Sequence, residues 1–313
     1  MSNILSLIFI ENLLISTVRM ATPLLFVSLG ELYSERAGLV NIGLDGLMTI
    51  GACVGFICGT LSNSPLVGVI GGAVAGMVIN LIFAFCTITL RAGQIINGMA
   101  LNILAPALAT FLYREFFGVS TTLTQGPMMQ NLAIPVLSAI PVIGPALFNS
   151  PPLTYFSALA LVATAVFFRR THAGLNFMSV GESPRAAETL GINVILRKYI
   201  ACCVCGALAG LGGAFLVTCY ISSYANGIVG GRGFIALSAV IFGGWRPSGI
   251  LAATLLFGFA DALQLRLQLL LPEIPYQFLS MLPYLCTLVV LALARERHQG
   301  PKASGQPYFR EGK

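Results

Sequence analysis

The side chains of this chain that could do chemistry are few, and most are polar residues set inside apolar runs. Asn41 and Asp45 stand four apart, on one face if that stretch is helical. Such a pair can line a pathway for a polar solute or brace an irregular backbone, and the spacing allows both. Gln94, Asn97 and Asn102 make a second polar run, with Gln94 and Asn97 on one face and Asn102 one residue past the turn repeat. Amides donate and accept, which suits an uncharged solute bearing hydroxyls or a base better than a cation. The alternative is hydrogen bonding between helices, worth about 1 kcal/mol apiece. Asp261 and Gln264 lie three apart, with Arg232 and Arg266 as candidate partners. Phe234 follows the flexible Gly-Gly-Arg-Gly of 230–233 and can stack on a flat ring, close a gate or simply fill core.

Charge concentrates elsewhere, in residues 181–191, Gly-Glu-Ser-Pro-Arg-Ala-Ala-Glu-Thr-Leu-Gly, flanked by Arg169, Arg170, Arg197 and Lys198. Only 9% of the chain is charged, so a segment holding Glu182, Arg185 and Glu188 together belongs in water. It is built as a short helix: Ser183 suits the cap, Pro184 the first position and Gly191 the exit. Ala186, Ala187 and Leu190 give it one small apolar side. A soluble helix tied at both ends to membrane spans is a docking part.

Absent patterns narrow the chemistry. There is no G-x-x-x-x-G-K-S/T phosphate loop, so no ATP hydrolysis by this chain is expected. The two histidines, His172 and His298, fall in polar loops and offer no metal cluster. The eight cysteines all lie in apolar segments; Cys202, Cys203 and Cys205 are too crowded for a zinc or redox site and read as small hydrophobes. Intramembrane acids are too few for an evident proton relay. No catalytic residue, metal or cofactor is expected.

The elements that must position these groups are membrane helices. With 313 residues, 57% of them hydrophobic, and a mean hydropathy of +0.88, the chain is a polytopic all-α membrane protein. At about 20 residues per span there is room for nine or ten spans and little else. The domain reading is a membrane unit over 1–294, with 181–191 exposed, and a basic, solvated cytoplasmic tail over 295–313, expected to be disordered and to touch the inner leaflet. Residues 4–30 read as a retained first span, not a signal peptide. The run 37–48 opens a second span that continues to residue 61, and interrupts it with three glycines and two polar side chains, a break tolerated at depth only against protein or a watery path. Further spans are expected at 66–90, 94–117, 153–168, 199–220, 234–242, 250–269 and 276–294, with an outer loop over 118–152 that holds a partly inserted piece at 132–147. This counts nine crossings, N-terminus outside and C-terminus inside; a tenth would reverse the N-terminus.

The net charge of +6 does not indicate nucleic acid, because most of the 17 lysines and arginines fall on one side of this layout. That is the positive-inside pattern and puts 181–191 and the tail in the cytoplasm. A weak internal echo links 46–55 and 233–242, each followed by a Pro/Ser turn and another span, running in opposite senses. Opposed similar units mark inverted-repeat transporters, whose site lies at the repeat interface.

Three stretches now carry a resemblance: 35–48, Glu-Arg-Ala-Gly-Leu-Val-Asn-Ile-Gly-Leu-Asp-Gly-Leu-Met; 181–193; and 232–249, which ends in Gly-Gly-Trp-Arg-Pro-Ser-Gly. The chain resembles the inner-membrane permeases of bacterial ABC importers, in the branched-chain amino acid, simple-sugar and nucleoside family. Within it, the chain looks like the shorter permease subunit of nucleoside importers. The resemblance implies a type II importer fold with inverted repeats. It also implies partners: a cytoplasmic ABC ATPase, a second, longer permease in a heterodimer, and an extracytoplasmic substrate-binding protein. Glu182 to Gly191 would be the coupling helix, with Pro184, Arg185, Ala186, Ala187 and Gly191 matching the family pattern. Asn41 and Asp45 match polar positions of the second-span motif, Asp45 standing where Glu is frequent. Sugar or branched-chain amino acid import, and an ion-driven carrier needing no ATPase, are the rival expectations; a scaffold recruiting a soluble partner is another.

Overall fold

The computed structural model describes residues 7–118, 124–135, 138, 143–270, 275–281, 283, 285, 288 and 300–309. Helices dominate them. α1 (Leu7–Arg36) runs the length of the bundle, and a non-helical break at 37–43 leads into α2 (Leu44–Ser62). α3 (Pro65–Ala84) continues as a π-helical turn, Phe85–Thr89, and α4 (Gln94–Phe117) returns. A two-stranded ribbon pairs β1 (Leu132–Ala133) with β2 (Asn149–Ser150) around the short α5 (Ile143–Phe148). α6 (Pro152–Arg170), α7 (His172–Glu182) and α8 (Pro184–Thr189) follow. α9 (Val194–Phe215) also ends in a π-helical turn, Leu216–Tyr220; then come α10 (Arg232–Phe242), α11 (Pro247–Leu270) and α12 (Tyr276–Ser280).

Local sequence accounts for many of the boundaries. Pro65, Pro152, Pro184 and Pro247 open α3, α6, α8 and α11, where the missing N–H has no partner to lose. Asn63 ends α2 in the left-handed conformation, its N–H returned to Gly59 and Thr60. Thr171 caps α7 through Gly174 N–H, and Asn193 caps α9 through Leu196 N–H. Ser183 stands at the N-cap of α8 without a side-chain bond. The expected start of that helix is right, but the expected side-chain cap is not made; the Ser183 carbonyl accepts the first helical bond, from Ala187 N–H at 3.0 Å.

Seven helices among the described residues are long and apolar enough to cross a membrane, with α10 shorter. α1, α2 and α9 form the centre, meeting at Leu24, Val27, Met48 and Ala209. Glycine lets α9 approach α2 and α3: a Cβ on Gly210 would stand 2.2 Å from the Gly72 carbonyl oxygen. Contact this close is van der Waals packing that lipid cannot replace. α3, α4 and α6 lie outside and expose Ile70, Val74, Ile103, Leu104, Leu159 and Val162. An apolar exterior on an apolar bundle is a surface for lipid or another membrane subunit. The expected last span, 276–294, and the first residues of the first lie largely outside the described residues.

Candidate functional site

The break between α1 and α2 frees backbone groups, and side chains collect them. Asn41 is fully buried; its Oδ1 accepts from Gly43 N–H at 2.8 Å, and its Nδ2 donates to Asn80 Oδ1 at 2.8 Å. Asn80 Nδ2 in turn donates to the Cys202 carbonyl at 2.7 Å, tying α3 to α9. Gln94 Oε1 takes Val40 N–H at 2.8 Å. Asn102 takes Gly46 N–H and gives to the Ile42 carbonyl, both at 2.8 Å. Glu31, also fully buried, accepts Asn41 N–H at 2.9 Å and the Cys205 thiol at 3.4 Å. Buried N–H and C=O groups without partners are costly, so these side chains allow the break to exist inside the bundle.

The structure thus joins Asn41, Gln94 and Asn102 in one network around 37–46, a grouping their sequence positions did not require. Asp45 leaves that network and reaches α10: its Oδ1 accepts Gly233 N–H at 3.1 Å, so the N-terminal ends of α2 and α10 abut. Asn97 is half-buried, with its Nδ2 lacking a hydrogen-bond partner among the described residues. Phe234 is 47% exposed on the surface of α10. A cavity of about 300 Å³, which Phe234 does not line, is bordered by Gly230, Arg232, Asp261 and Gln264. Arg232 Nη1 is held by the Ile228 and Val229 carbonyls at 3.1 and 3.0 Å, and its buried Nε has no hydrogen-bond partner there. Arg266 turns away to the Asn12 carbonyl, leaving Asp261 in the field of Arg232.

Sequence reasoning missed Glu31, Asn80 and the Glu35–Trp245 contact, in which the indole N–H donates to the Glu35 carboxylate. A polar residue within the glycine-rich third span was the available signal for Asn80. Glu31 reads as the polar end of a span because α1 runs several residues past the expected boundary.

At the end of the bundle that carries Arg36 and Trp245, the charged segment forms α8. Gly181 lies against the Arg36 carbonyl, where a Cβ would come within 2.3 Å. Ala187 is buried among Val180 and Val194, whereas Glu182, Arg185, Ala186, Thr189 and Leu190 are exposed. The expected single apolar side is therefore split: Ala187 anchors the helix inward, and Ala186 and Leu190 face out. Gly191 leaves α8 at φ +80°, a conformation that favours glycine. The described cysteines are unpaired thiols, as suits small core residues.

Seven apolar helices long enough to cross a membrane, a polar break after α1 and a short exposed helix slung between α7 and α9 make this a polytopic membrane protein. The match of residues 13–291 to the permease component of the branched-chain amino acid transport system shows that the chain belongs to that family. The nucleoside ABC transporter permease NupC of Lactococcus lactis is 38% identical, over 97% of both chains. The guanosine ABC transporter permease NupQ of Bacillus subtilis is 36% identical, over 94% of this chain and 95% of its own. TsgC13 of Haloferax volcanii, named for glucose ABC transport, is 36% identical over 97% and 99%. Among solved structures, an inward-facing ABC transporter described as metal-chelate type aligns with a TM-score of 0.50 over 90% of this chain and 85% of its own, at 15% identity. That likeness is one of fold. The chain is accordingly a multi-pass protein of the cytoplasmic membrane and an ABC permease subunit.

Proposed function

We propose that this chain is one permease subunit of an ATP-driven nucleoside importer. The observation that carries the reading is its near full-length similarity to permeases named for nucleoside and guanosine transport, at 38% and 36% identity. Its partners in this reading are a cytoplasmic ABC ATPase, a longer homologous permease and an extracytoplasmic binding protein. α8 is the coupling helix, facing the cytoplasm with the basic end of the bundle, and its exposed Arg185, Ala186 and Leu190 meet the ATPase. ATP binding drives transport only if the ATPase grips this helix differently in its two states.

In this reading the chain crosses nine times, counting the descent into α10 and a last span after α11, and its two halves are inverted repeats. Helix pairing supports the repeats: α3 packs on α9 as α11 packs on α1. Pro65 precedes Gly76 by the same interval as Pro247 precedes Gly258, and each of these glycines meets the opposite half, at Gly206 and Thr17. The meeting of α2 and α10 at Asp45 and Gly233 is then the repeat interface, where inverted-repeat transporters bind their cargo. The solute path runs past Asp45, Asn97 and Phe234, with Asn41, Gln94 and Asn102 holding its wall.

Uptake of labelled nucleosides, sugars and amino acids by the reconstituted complex, with and without ATP, tests the proposal. Import of a nucleoside that ceases without the ATPase is expected. Glucose import without nucleoside import would favour the second reading, which rests on the similarity to TsgC13.

A further inference from the structure

Residues 300–309, expected to be solvated tail, are packed across the same end of the bundle as α8. Ala303 N–H donates to the Gly181 carbonyl at 2.9 Å, and the Ala303 carbonyl sits where a Cβ on Gly38 would approach to 3.3 Å. The segment is therefore threaded between the helical break and the α7–α8 joint. Gln306 offers its carbonyl to Gln94 Nε2 at 3.4 Å, and the same Gln94 side chain holds Val40 in the break. Further on, the Tyr308 hydroxyl donates to the Glu188 carboxylate of α8. The Tyr308 ring lies 6.0 Å from the Lys198 ammonium, which is only 2% exposed, and Arg91 sits 4.9 Å over the Phe309 ring. At the other end, Gly300 rests on the Trp245 indole.

One short piece of chain thus links α8 to the break and to the start of α4. Besides this segment, α8 joins the bundle through α7 and α9, by way of Ser183 and Gly191. Both joints have non-helical backbone and are the natural places for the chain to bend.

We infer that the C-terminal segment is a strap whose Ala303 and Tyr308 are positioning residues for coupling: they hold α8 to the polar break, so that a push on α8 moves the pathway mouth instead of flexing the two joints. This rests on the docking reading of α8. The strap does not touch the solute and does not hydrolyse ATP; it sets how much of the motion of one site reaches the other.

The test uses the complete importer in proteoliposomes and measures solute moved per ATP hydrolysed. Truncation after residue 299 and Tyr308→Ala are each expected to leave ATP hydrolysis running while that ratio falls about fivefold or more. Tyr308→Phe, which keeps the ring over Lys198 and loses only the bond to Glu188, is expected to fall between, as is Glu188→Gln. An unchanged ratio in the assembled truncation overturns the inference. If truncation prevents assembly, unchanged ratios in both Tyr308→Phe and Glu188→Gln overturn it instead. Ala186→Glu separates the two layers: full transport there defeats the docking reading, whereas lost transport with unaffected strap variants defeats the strap alone.

Discussion

Replacing Asn41 by leucine isolates what the polar break needs. The side chain is fully buried and serves two partners, Gly43 N–H and Asn80 Oδ1, each at 2.8 Å. Leucine has nearly the same reach and satisfies neither. An orphaned buried group costs about 1–3 kcal/mol, so two orphans sum to about 2–6 kcal/mol, with the lower half expected because the break can relax. Asn80→Leu removes the shared bond from the other side and also takes from the Cys202 carbonyl the second donor that it has beyond the α9 ladder. The double variant should be less damaging than the sum of the singles by about 1 kcal/mol, the signature of a direct contact. Unfolding in mixed detergent micelles gives the stabilities, and uptake by reconstituted complexes gives the solute KM. The reasoning is refuted if Asn41→Leu unfolds within about 0.5 kcal/mol of the parent, since surface-like behaviour is incompatible with a bracing role. A shifted KM in such a stable variant would make Asn41 a solute contact.

Other perturbations separate neighbouring roles. Ala187→Glu forces a carboxylate among Val180 and Val194 and should lower folded yield, whereas Ala186→Glu should leave yield intact and abolish transport; gel filtration and uptake assays tell them apart. Gly210→Leu must push α9 from the Gly72 carbonyl and should destabilise by about 1–3 kcal/mol or more, while Gly93→Ala, where the nearest atom lies 3.5 Å away, should be neutral in the same detergent unfolding assay. Asp45→Asn keeps an acceptor for Gly233 N–H and should fold within about 1 kcal/mol of the parent, yet uptake should fall because the charge facing Arg232 is gone. Full uptake in that variant would remove the Asp45 carboxylate from the pathway.

The strap gives the permease a direct mechanical reason to keep its C-terminal residues. In the proposed importer α8 receives the stroke, and the segment touches the break at Gly38, where the helix is already interrupted. A tie between them shortens the route from ATPase to pathway. It also explains why Gln94 has two duties, one carbonyl on Val40 and one amide on Gln306.

The amino-acid sequence by itself determined that this is a helical membrane protein, where its chain is interrupted and which segment must stay in water. Those properties follow from local composition, since hydrocarbon rejects charge and punishes open backbone wherever they occur along a chain. It also placed the start of α8 at Pro184, because proline acts within one turn, whereas the spans expected from 66, 153 and 250 begin one to three residues earlier, at Pro65, Pro152 and Pro247. The three-dimensional arrangement decided what the polar residues do. Asn41 and Asn80 are far apart in sequence, as are Asp45 and Gly233, and no local rule distinguishes an amide that braces a break from one that meets a solute. Ala187 and Ala186 are adjacent and alike, and only the packing of α7 and α9 turns one inward and the other out. The basic tail, polar enough to be solvated, is held because Gly38, Gly181, Lys198 and Glu188 converge on one surface, a convergence that exists only once the helices have packed.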